Sequence, residues 1–71
     1  MDNDTINLIR YISALQEVIY WAARDFTHPS DYNRKCLENA FMVKDIAWDN
    51  LPFNVRNSIK CASKHYMEEA G

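Results

Sequence analysis

The sequence predicts an all-α fold. The expected architecture is a three-helix domain: a long N-terminal helix, a second helix antiparallel to it, and a shorter third helix. Its expected assembly is a dimeric helical bundle. Three observations lead there. Apolar residues recur at helical spacing in three successive segments. The only glycine is Gly71, the last residue, so the turn glycines and alternating strands of an all-β chain are missing. The two prolines, Pro29 and Pro52, lie in polar clusters and divide the chain into three.

With 71 residues the chain holds one domain, residues 1–71, with helices at about 4–27, 31–48 and 52–68. The first helix organises the rest. Leu8, Ile12, Leu15, Ile19, Ala22 and Phe26 fall at alternating steps of four and three, which keeps them on one helical face. Tyr11 and Val18 widen that stripe on one flank, and Ala14 and Trp21 widen it on the other. Asp2, Asn3 and Asp4 are cap-forming residues whose charge suits a helix N-terminus, and the helix is expected to start at Asp4. Pro29 disfavours helix at His28 and ends it near Thr27.

Ser30 or Thr27 can cap the second helix. Cys36, Ala40, Val43 and Ala47 share one of its faces, with Leu37, Phe41 and Trp48 beside them. Apolar residues cover so much of its circumference that it reads as the central element, packed on more than one side. Asp49 or Asn50 can cap the third helix, and Pro52 suits its start. Val55, Ile59, Ala62 and Tyr66 form its stripe. Asn54, Asn57, Ser58 and Ser63 are poor helix formers, and Glu68 and Glu69 oppose the dipole, so a frayed end is expected.

Composition narrows the function. Hydrophobic residues make up 48% of the chain and charged residues 25%, ordinary for a folded domain. The net charge is −2. Residues 1–31 carry five acidic against two basic groups, and residues 32–71 six basic against five acidic, so no large field draws the protein onto a polyanion. No apolar run has the length of a membrane span. The acidic start, Met1-Asp2-Asn3-Asp4, is unlike a secretory leader. A reducing, cytoplasmic setting with both cysteines free is the expectation.

Chemistry is sparsely represented. Cys36, Cys61, His28 and His65 could be drawn as a four-ligand zinc set, yet the tight Cys-x2-Cys knuckle is missing, and two thiols beside two ordinary histidines are the plainer reading. A cysteine–histidine nucleophile needs an oxyanion site and a cleft that three short helices supply poorly. Asp45/Asp49 and Glu68/Glu69 read as solvated surface. No catalytic residue, cofactor or metal is therefore expected.

Two surfaces remain. Arg56, Lys60 and Lys64, spaced four and four, form a basic ridge that could meet phosphates or an acidic partner. As plain structure they are the wet face of an amphipathic helix, with Lys64 paired to Glu68. The aromatic residues are too many for one small core, and Tyr20, Trp21 and Met42 lie off the main stripes, which signals an interface. The leading expectation is a small non-enzymatic helical interaction or regulatory protein. Its size, acidity and aromatic content suit bacterial or phage accessory proteins. It would homodimerise through Leu8, Tyr11, Leu15, Val18, Trp21 and Ala22 and also bind another, unidentified protein. The Ile12/Ile19/Phe26 side would face the intramolecular core, while the Tyr11/Val18 or the Ala14/Trp21 edge would meet a second chain. The second reading is a small DNA-binding transcriptional regulator that uses Arg56, Lys60 and Lys64.

Overall fold

The computed structural model describes residues 2–70, and the side chains of residues 2–65. Three helices follow one another: α1 (Asn3–Thr27), α2 (Asp31–Asp49) and α3 (Phe53–Ala70). There are no strands among the described residues. The expectations for Tyr66, Glu68 and Glu69 concern side chains outside those described.

Local chemistry sets each boundary. α1 begins one residue earlier than expected, because Asp2 is its cap: its carboxylate accepts the Thr5 amide at 2.8 Å. At the other end the Thr27 hydroxyl donates back to the Ala23 carbonyl at 3.0 Å, and the His28 amide closes on Arg24. Ser30 caps α2 by accepting the Asn33 amide at 3.0 Å. Asn33 is the buried polar residue of the turn, and its side-chain amide donates to the His28 carbonyl at 2.8 Å. That bond satisfies a backbone acceptor which the chain reversal would otherwise strand. Asn50 closes α2, where its amide donates to Ile46 at 3.2 Å, and so is not the cap of α3. The third helix is entered through Pro52, whose carbonyl accepts the Arg56 amide.

Helices α1 and α2 form an antiparallel hairpin. Arg34 meets Asp25 across it, Tyr32 meets Trp21, and Trp48 meets Tyr11, so the contacts run outward from the turn in opposite chain directions. The two helices meet through small side chains. Ala14 and Ala40 are buried, and among the described residues no large side chain is completely buried. Small residues let helix axes approach, and the rings at either end fill the wider gaps.

α3 joins the hairpin near its open end. Leu51, in the connection, is the most buried hydrophobic residue at 2% exposed. Val55, Arg56 and Ile59 are half-buried, whereas residues 60–65 are exposed. Among the described residues, the α1–α2 pairing is the one extensive helix–helix contact. The molecule is accordingly open and flat, with extents of 38 × 34 × 17 Å. Its radius of gyration, 14.2 Å, exceeds the roughly 11 Å of a compact domain of this length.

Two expectations are corrected here. Ile12, Ile19 and Phe26 do not face the intramolecular core; they are 46%, 67% and 87% exposed. Nor is α2 covered on several sides, since Phe41, Met42, Val43 and Ile46 are all exposed. The reason is common to both: one neighbour covers one side of a helix, and α3 leaves most of the hairpin bare.

Candidate interaction surfaces

Helix α1 carries two seams with the same spacing. Asn7, Tyr11, Ala14, Val18, Trp21 and Asp25 step by four and three; all are buried or half-buried. This seam faces α2. Leu8, Ile12, Leu15, Ile19, Ala22 and Phe26 repeat that spacing one residue later, hence about 100° around the helix. Leu8 and Leu15 are half-buried and the other four are exposed. The stripe thus runs about 27 Å along α1 with its isoleucines and phenylalanine uncovered.

The six residues expected at an interface divide between the seams. Tyr11, Val18 and Trp21 lie on the seam that meets α2; Leu8, Leu15 and Ala22 lie on the free one. The Tyr11 ring packs on Trp48 at 5.2 Å. Trp21 stands edge-on to Tyr32 at 6.1 Å and to Tyr20 at 5.1 Å. Much of what these rings offer is therefore used inside the chain.

A second apolar surface flanks the hairpin. A groove of about 810 Å³ is lined by Ile9, Tyr20, Val43 and Ile46, with Arg10 and Glu17 along it. Arg24 steadies one rim, its guanidinium 3.2 Å from the Tyr20 hydroxyl and 5.8 Å from the ring centre. Sequence reading placed Tyr20 off the main stripe. The periodicity of α2 also turns Ile46, with Met42, away from the Cys36/Ala40/Val43/Ala47 face, whereas Ile9 stands outside the α1 stripe and its flanks and gave no signal.

The basic ridge is not a uniform surface. Arg56 is half-buried, and its Nε is buried without a hydrogen-bond partner. Lys60 extends over the Trp48 ring, its Nζ 5.8 Å from the centroid. Lys64 is exposed. The pairing of Lys64 with Glu68 lies outside the described side chains. The chemistry-bearing residues are likewise dispersed. Cys36 is half-buried and Cys61 exposed, both as free thiols, and His28 rests against the Thr27 hydroxyl at 3.1 Å. Among the described residues no three His, Cys, Asp or Glu side chains converge as metal ligands would. Asp45 pairs with Lys44 at 3.1 Å. No helix among the described residues is long and apolar enough to cross a membrane.

No protein-family model, no curated protein and no solved structure matches the chain. Its function is therefore argued from the surfaces themselves.

Proposed function

We propose that this chain is a small non-enzymatic helical interaction protein that completes its core by homodimerising and regulates another macromolecule by binding it. One observation carries the reading: the lone chain exposes far more surface than its mass calls for. Its accessible area is 5745 Å², whereas a compact 8.4 kDa monomer has about 4,600 Å². The excess, about 1,100 Å² per chain, exceeds the roughly 800 Å² that each partner buries in an ordinary stable interface. Large apolar side chains supply a good part of it, among them Ile19, Phe26, Met42 and Ile46. Continuous apolar stripes on a small protein mark a surface that another protein covers.

The test is the mass in solution by light scattering, with the thermal midpoint measured over a hundredfold range of concentration. A dimer whose midpoint rises with concentration is expected, because association stabilises by mass action. A well-folded monomer with a concentration-independent midpoint, which also retains no partner protein, would sink the proposal. DNA binding through Arg56, Lys60 and Lys64 draws less support, since Arg56 is half-buried and Lys60 lies over the Trp48 ring.

A further inference from the structure

We infer that the largely uncovered seam of α1 is the dimer interface, and that the second copy's α1 packs on it antiparallel about a two-fold axis at the level of residue 17. This rests on the homodimer reading above and assigns it a face and a direction. The six seam positions, Leu8, Ile12, Leu15, Ile19, Ala22 and Phe26, are symmetric about residue 17. An antiparallel partner in that register sets Leu8 against Phe26 of the second copy, Ile12 against Ala22, and Leu15 against Ile19. Each layer then joins residues of complementary size, the arrangement that fills helical interfaces without voids. A parallel pair would stack Ala22 on Ala22, leaving a gap beside a doubled Phe26 layer.

Charge points the same way. The first turn of α1 carries Asp4, just after Asp2. Antiparallel packing keeps the carboxylates of the two helix starts apart and opposes the two helix dipoles. Parallel packing would gather four carboxylates at one end. The surface is also available. Ile19 and Phe26 are mostly exposed, and the seam lies about 100° from the one that meets α2, so the hairpin need not open to use it. That angle suits a helix at the corner of a bundle, touching one neighbour on each of two sides.

Two measurements test the assignment. Light scattering on Ile19→Glu should show self-association weakened at least about 100-fold, because a carboxylate would replace an apolar contact at the centre of the interface. Circular dichroism serves as the control; Ile19 is largely exposed, so helix content should not change. The second measurement is the distance between spin labels attached at Thr27→Cys, an exposed position off the seam, in a chain also carrying Cys36→Ala and Cys61→Ala. Antiparallel packing puts the two labels about 30 Å apart, twenty residues of helix rise. A wild-type chain that stays monomeric overturns this assignment together with the homodimer reading. A wild-type dimer that Ile19→Glu leaves intact, or a label separation under about 15 Å, overturns the assignment and spares that reading. Binding of the seam to a helix of some other protein, with the chain itself monomeric, also counts against it.

Discussion

The Tyr11 ring lies 5.2 Å from the Trp48 indole, tilted by 50°, and the Lys60 ammonium sits 5.8 Å from that same indole. One aromatic side chain on α2 thereby gathers contacts from α1 and α3. A double-mutant cycle of Tyr11→Leu and Trp48→Leu should return a coupling of about 0.5–1.5 kcal/mol by denaturant unfolding. A coupling of zero would mean that the rings merely adjoin.

The turn should prove more fragile than its exposure suggests. Asn33→Ala removes the amide that satisfies the His28 carbonyl, and the expected loss is about 1–3 kcal/mol. Ser30→Ala removes the α2 cap and should cost about 0.5–2 kcal/mol. Chemical denaturation of the two single variants checks both. Asn33→Asp tests the mechanism, since it keeps the size but loses the donor, and it should resemble the alanine variant.

Acid should loosen the beginning of α1. The Thr5 amide, and then the Thr5 side chain, hold the Asp2 carboxyl below its ordinary value of 3.8. With the lower pKa in the folded state, the cap is fully present above about pH 4 and is lost as the pH falls through that lowered value. The protection of the Thr5 and Ile6 amides, taken relative to the intrinsic exchange rate at each pH and followed by NMR between pH 5 and pH 2, should fall at the acid end. Asp2→Asn should keep a cap and flatten the profile.

Lys60 and Lys64 should separate cleanly. Lys60→Ala loses a ring contact and should cost about 0.5–1 kcal/mol, while Lys64→Ala should stay within about 0.5 kcal/mol of wild type. Neutralising both with glutamine should leave the response to duplex DNA at low salt unchanged. A salt-sensitive affinity that this double variant abolishes would instead favour the regulator reading.

The three helices were legible because their signals are local. Pro29, Ser30, Asp2 and the spacing of apolar residues act within a few positions of themselves. What could not be read was which side of α1 meets α2. Two seams share one spacing a single residue apart, and the larger side chains, Ile12, Ile19 and Phe26, point to the wrong one. Ala14 and Ala40 decide the matter. Their small size permits close approach of the axes, and that advantage exists only once both helices are present. The position of α3 was hidden for a related reason: among its described side chains the modest stripe is half-buried only at Val55 and Ile59, near the connection, and residues 60–65 are exposed.

The Thr27–Ser30 reversal also sets an order of events in time. The cross-hairpin contacts Asp25–Arg34, Trp21–Tyr32 and Tyr11–Trp48 join residues nine, eleven and thirty-seven apart in the chain. The shortest loop closes at the least entropic cost, and each later contact extends a hairpin already begun. Such a chain zips outward from its turn and belongs with the fast helical folders. Substitutions at Asn33 should then slow folding, whereas those at Trp48 should chiefly hasten unfolding. If two copies do associate, their encounter becomes the slow, concentration-dependent step, and the rate of refolding would report assembly instead of helix formation.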